Sequence, residues 1–329
     1  MADAFESPLL LRVHTEFTAI DLGRVQAAPG VQSLRGALDD ALDGVVAALP
    51  APLDAEARAL LAGYAGGGSF FGLFYVPVWS FLHWAPAAAP LPPPAQVLGT
   101  ARTAHALALF LHLWDDHLSD GQLAPDLLRL QLRTLAWARF TAQARTLAAA
   151  AGARAGVVDA HARDYLVALH RPEPVSNLDG YLARFGRQVA VWTLVPRLLG
   201  RALAGPAAGK ALAGAVEHFA AAWRLVDDLQ DVHLDARAGA QTAVWLALDE
   251  EGRRRWEAFR DAGRAGKEPD PGTWEALAQA VRAPACRGRL LARARAELAA
   301  AAKTARAHGW AGWADEVESC ARGLPHPPG

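Results

Sequence analysis

The chain has 329 residues, 52% of them hydrophobic and 20% charged, a balance that can fill a sizeable core and excludes intrinsic disorder. Lys and Arg number 33 against 34 Asp and Glu, a net charge of −1, so the cationic surface that a general nucleic-acid binder needs is missing. The two cysteines, Cys286 and Cys320, form no CxxC pair, which excludes a cysteine zinc site and fits a reduced compartment.

In chain order, MADAFESPLLLRVHTEF lacks the basic-then-apolar layout of a signal peptide. Residues 1–33 read as an irregular N-terminal extension, and 34–329 as a single all-α domain of ten or more helices. Ala, Leu and Arg dominate, and the alternating Val/Ile/Thr runs of strands are absent. Gly and Pro punctuation separates segments of helical length at about 34–49, 53–64, 70–84, 95–119, 122–150, 156–169, 177–203, 207–236, 241–264, 273–281 and 285–320. The most apolar run, FFGLFYVPVWSFLHW at 70–84, is short for a bilayer span and is interrupted by Pro77. A soluble, cytoplasmic protein with no membrane span is expected.

Two places break the apolar pattern in the same way. LALFLHLWDDHLSDG carries Asp115, Asp116 and Asp120, and FAAAWRLVDDLQDVHLD carries Asp227, Asp228, Asp231 and Asp235. Asp116 and Asp120 are spaced i,i+4, as are Asp227 and Asp231, so each cluster projects carboxylates from one helix face. Either cluster alone reads as a solvated helix end. Two together, each at the end of a buried-looking helix, point to a shared cation. Oxygen-only ligands suit Mg²⁺, which keeps several waters and is commonly shared with substrate phosphates.

DDLQD, preceded by WRLV and followed by VHLDARAGAQT, resembles the second aspartate-rich motif of the trans-polyprenyl synthase family, and WDDHLSDG resembles the first. YLARFGRQVAVWTLVPRLLG resembles the intervening helix that supplies a basic diphosphate contact, which would be Arg187, with Gln188 beside it. The resemblance spans roughly residues 36–250. It implies the all-α class I isoprenoid synthase bundle, a homodimer, and an allylic prenyl diphosphate as substrate. It further implies three Mg²⁺ ions on Asp115, Asp116, Asp120, Asp227, Asp228 and Asp231. Phe110 and Leu111, one turn before Asp115, resemble the residues that set pocket depth, and Arg224 stands where the family often has glutamine.

The sequence also departs from the family. The basic segment expected near the N-terminus is replaced by GGGSFFGLFYV, GQLAPDLLR after the first motif has no arginine pair, and AGAQT after the second has no lysine. A second diphosphate would lack Arg or Lys to replace its lost water. Phe71, Phe74 and Trp79 occupy that region instead, and aromatic faces suit a carbocation. The expected activity is therefore that of a Mg²⁺-dependent terpene cyclase, with prenyl transfer to an isoprenyl or other acceptor as the alternative. There is no GxSxG elbow, no Walker A sequence and no strand-linked GxGxxG.

Overall fold

The computed structural model describes residues 17–23, 25–119, 122–170, 173–265 and 270–325. Among them there is no strand, and fourteen α-helices make up the architecture. In chain order these are α1 (Pro29–Val46), α2 (Leu53–Tyr64), α3 (Pro77–Ala87), α4 (Ala95–Ser119), α5 (Leu127–Ala150), α6 (Val157–His170) and α7 (Leu178–Gln188). Then follow α8 (Ala190–Gln230), α9 (Val232–Ala238), α10 (Ala243–Ala247), α11 (Glu250–Arg264), α12 (Pro271–Arg282), α13 (Arg289–Ala307) and α14 (Ala311–Gly323).

Two helices organise the rest. On α4, nearly every residue from Ala104 to Leu111 is buried, and α8 is buried along most of its length. A helix apolar on all sides has to sit in the middle of a bundle, and so they do: α4 packs on α1, α5 and α8, while α8 also packs on α6, α7 and α13. The helical register of α8 is broken at Ala204 and Gly205, where Gly205 takes a φ of 86° that a side chain would resist, directly before Pro206. The bend brings the chain back on itself so closely that a Cβ on Gly200 would lie 2.8 Å from the Ala208 carbonyl oxygen.

Helix starts follow side-chain caps. The carboxylates of Asp126, Asp249 and Asp270 and the amide of Asn177 accept backbone N–H bonds of 2.7–2.8 Å at the N-termini of α5, α11, α12 and α7. Each such cap stabilises its helix by about 1 kcal/mol.

The segment at 70–84 is not one helix. Residues Phe70–Leu73 form a 3₁₀ turn and α3 begins only at Pro77, whose missing N–H is harmless at a helix start. Of the expected irregular stretch 1–33, residues 1–16 and 24 lie outside the described residues; within the rest, α1 starts at Pro29, and Phe17, Ile20 and Leu22 are buried in the core. That segment is tied to the later chain by Gln230, whose Nε2 donates to the Ile20 carbonyl at 2.5 Å, and by the Tyr75 hydroxyl, which donates to Asp21. Among the described residues no helix is long and apolar enough to cross a membrane. Cys286 and Cys320 are buried and unpaired.

Candidate active site

A cavity of about 700 Å³ lies between the C-terminal end of α4 and the junction of α8 with α9. From α4 it receives His112, Leu113, Asp116 and His117, positions that share a face at i, i+1, i+4 and i+5. From α8 and α9 come Trp223, Arg224, Asp227, Asp231 and Asp235; the three aspartates and Trp223 follow one another at intervals of four. The remaining wall is largely apolar, with Tyr64, Leu73, Phe74, Tyr75, Val78 and Trp192. Phe74 meets Trp192 edge-on at 6.4 Å between centroids, and Trp192 lies 5.6 Å from Trp223.

The electrostatics reflect carboxylates crowded into one partly dry space. Burial pushes the Asp227 carboxyl up to about 7, and Asp231, Asp228 and Asp116 add to the rise against the lowering pull of Arg224. Asp235 is raised well above the usual carboxylate range by burial and by Asp228, Asp231 and Asp227. Its Oδ2 is buried with no hydrogen-bond partner among the described residues. Opposite, the Tyr64 hydroxyl is hydrogen-bonded to His117 and held at about 12 by burial and the Asp116 charge. Each of these perturbations is of the kind a bound cation would relieve. The donor set therefore fits a divalent metal. No three such side chains among the described residues converge on one point by themselves, so an ion here would complete its shell with water and ligand oxygens, as Mg²⁺ commonly does.

Arg224 is the one Arg or Lys lining the cavity among the described residues. Its Nε donates to the Tyr181 hydroxyl at 2.9 Å and lies 2.8 Å from Asp228 Oδ1, while Nη1 reaches Asp227 Oδ2 at 3.1 Å. Its guanidinium also sits 5.7 Å from the Phe185 ring centroid.

Several expected site residues lie elsewhere. Asp115 faces away from the cavity and is bonded to Arg133 and Tyr165. Asp228 is fully buried, and its Oδ2 accepts the Ala243 N–H at 2.7 Å at the start of α10. Each is rotated about 100° from its neighbour in the pair, which is why only one member of each pair reaches the cavity. Arg187 is exposed, pairs with Glu173 at 3.0 Å, and lines a different cleft, with His161, Glu217 and His218. Gln188 is half-buried and is not a cavity residue; its backbone bonds to His112. Phe110 and Leu111 are wholly buried core residues, Phe110 packing on Phe70 and Trp114 at 5.7 and 5.0 Å. Phe71 and Trp79 are likewise core, leaving Phe74 as the expected aromatic that lines the cavity. Asp120 lies outside the described residues.

Trp192 and Tyr64 were not singled out in the sequence, and Asp235 was named in the second cluster but not among the expected metal ligands. For Asp235 the signal was present, since it continues the four-residue spacing of Asp227 and Asp231. Trp223 carried the same signal, standing four residues before Asp227. Trp192 had none, because only the packing of α8 brings it to the cavity.

No protein-family model and no curated protein matches the sequence. Solved structures do match. A polyprenyl synthetase from Streptomyces coelicolor A3(2) aligns with a TM-score of 0.64 at 18% identity, covering 87% of this chain and 98% of that one. The chain has the all-α polyprenyl synthase fold. A geranylgeranyl pyrophosphate synthase from Lactobacillus brevis (TM-score 0.66, 15% identity, 89% and 97% covered) has the same fold. So does a heptaprenyl diphosphate synthase from Staphylococcus aureus (0.60, 13%, 90% and 99%).

Proposed function

We propose that the chain ionises an allylic prenyl diphosphate with the help of divalent cations and transfers the prenyl group to an acceptor that carries no diphosphate. One observation carries this reading: a single cavity collects Asp116 from α4 and Asp227, Asp231 and Asp235 from α8 and α9, beside a wall of Phe74, Trp192 and Trp223. The neighbours in the same fold, named as synthases of prenyl diphosphates, support the choice of substrate.

Asp116, Asp227, Asp231 and Asp235 would hold Mg²⁺. Bound there, Mg²⁺ supplies the charge neutralisation that makes diphosphate a leaving group. Arg224 faces the same space and stabilises the departing diphosphate. The aromatic rings stabilise the allylic cation by up to about 2 kcal/mol per desolvated contact, and the apolar wall keeps water from quenching it.

The acceptor follows from charge. A second diphosphate needs cations of its own, and Arg224, the one Arg or Lys lining the cavity among the described residues, is already assigned to the first. When the acceptor is a double bond of the substrate itself, the outcome is cyclisation; the aromatic wall favours this second reading.

The test is incubation with geranyl, farnesyl and geranylgeranyl diphosphates and Mg²⁺, with and without isopentenyl diphosphate or a panel of neutral aromatic acceptors. Pyrophosphate release coupled to prenylation of a neutral acceptor, and lost in Asp116→Asn, is the expected result. Cyclic hydrocarbon or alcohol from one substrate alone establishes the second reading. A longer linear diphosphate made from isopentenyl diphosphate refutes the argument about the acceptor. No Mg²⁺-dependent pyrophosphate release under any condition refutes the whole assignment.

A further inference from the structure

Neighbouring residues on a helix point about 100° apart, so two adjacent aspartates cannot both serve one face. On α4 the division is complete. Asp116 lines the cavity, whereas Asp115 turns toward α5 and α6 and is only 6% exposed. Its Oδ1 accepts from Arg133 Nε, and its Oδ2 accepts from Arg133 Nη2 at 3.2 Å and from the Tyr165 hydroxyl at 3.2 Å. Arg133 belongs to α5 and Tyr165 to α6, so three helices meet on one carboxylate. A two-pronged guanidinium–carboxylate contact fixes orientation as well as adding energy.

Resting on the metal-dependent reading above, we propose that Asp115 is a positioning residue and not a metal ligand: with Arg133 and Tyr165 it forms a latch that fixes the rotation of the last turns of α4, so that Asp116 faces the cavity. To ligate an ion in the cavity, Asp115 would have to abandon both partners and swing around the helix, leaving Arg133 facing a half-buried site without its counter-charge. The second cluster is built on the same plan. Asp228, fully buried, is held by Arg224 and by the Ala243 N–H, and accepts a further bond from Tyr181, while its neighbour Asp227 faces the cavity. Each pair thus consists of one buried carboxylate held by an arginine and a tyrosine and one carboxylate that lines the cavity, with Arg224 also reaching Asp227 at 3.1 Å.

The experiment measures Mn²⁺ binding by electron paramagnetic resonance in the presence of inorganic pyrophosphate, together with the melting temperature of the metal-free protein. The variants are Asp115→Asn, Arg133→Gln, the double variant, Tyr165→Phe and Asp116→Asn. A latch predicts that Asp115→Asn and Arg133→Gln both weaken Mn²⁺ binding by about tenfold. It also predicts lower melting temperatures, an unchanged number of bound ions, and a double variant no worse than the worse single one. Tyr165→Phe, which removes one hydroxyl and leaves the ring in place, should keep the fold and weaken binding in the same sense by about two- to tenfold.

A ligand predicts the opposite sign for Arg133. If Asp115 coordinates the ion, Arg133→Gln removes a competing cation and tightens Mn²⁺ binding while Asp115→Asn abolishes one ion; that pattern overturns the proposal. Parent-like affinity in both Asp115→Asn and Tyr165→Phe overturns it too. Asp116→Asn separates the two levels of the argument. If it weakens Mn²⁺ binding and the latch variants do not, the latch alone fails. If it leaves Mn²⁺ binding at the parent level, the metal-dependent reading fails and the latch with it.

Discussion

Asp227 provides the sharpest physical test of the cavity, because its carboxyl is held at about 7 where an unperturbed aspartate titrates at 3.8. Burial is the main cause, and the carboxylates of Asp231, Asp228 and Asp116 add to it against Arg224. A displacement of about three pH units corresponds to about 4 kcal/mol between the protonated and ionised forms. A carboxyl whose folded pKa is raised binds its proton more tightly in the folded state, so stability must fall as pH rises between the two values. Below about pH 4 both states are protonated and nothing is lost; above about pH 7 the loss is complete. Asp227→Asn fixes the uncharged form. The variant should match the parent near pH 4 and exceed it by up to about 4 kcal/mol near pH 8, with chelator present. Urea unfolding of both proteins at several pH values measures the gap directly. Addition of Mg²⁺ and pyrophosphate should close part of the gap near pH 8 by stabilising the parent, since a cation removes the reason for the raised pKa. A variant less stable than the parent near pH 8, or a gap that does not widen between pH 4 and 7, would refute the view of Asp227 as a charge held at a cost for a cation.

Three further outcomes follow from where side chains sit. Phe110→Ala should lose about 3–5 kcal/mol of stability, measured by urea unfolding, without altering which prenyl lengths are accepted, because a buried ring in the core leaves a cavity behind. Phe74→Ala, half-buried on the cavity wall, should instead change the accepted chain length or product spread in an assay across three substrates, with the smaller loss of stability. Arg187→Ala should change stability by less than about 1 kcal/mol, since its pair with Glu173 is exposed on both sides. Its rate of pyrophosphate release should equal the parent's; a large fall in turnover would place Arg187 back in the chemistry.

Much of the fold was legible in the sequence because helix content and helix ends are local matters. The segments read at 53–64 and 95–119 coincide with α2 and α4. Two failures occurred where a cap or a proline subdivides a run of good helix formers. Asp249 starts α11 inside the segment read as 241–264, and Pro77 starts α3 inside 70–84. Both residues are recognised start signals, but the surrounding apolar periodicity outweighed them. The all-α bundle needed no such detail, since composition and punctuation alone excluded strands.

The site was legible only to the level of the cluster. That seven aspartates gather in two places is visible in one dimension; which of two adjacent aspartates faces the ligand depends on the phase of its helix against its neighbours. That phase is set by Arg133 and Tyr165 for Asp115, and by Tyr181 and the Ala243 N–H together with Arg224 for Asp228. All but Arg224 lie far along the chain from the aspartate they hold. One local signal could have resolved the first cluster. His112, Asp116 and Asp120 stand four apart in the sequence, the interval of one helical face. The adjacent Asp115 is then the anchored carboxylate, and the two clusters share one division: the carboxylate that also bonds a tyrosine from another helix holds the helix, and its neighbour faces the cavity.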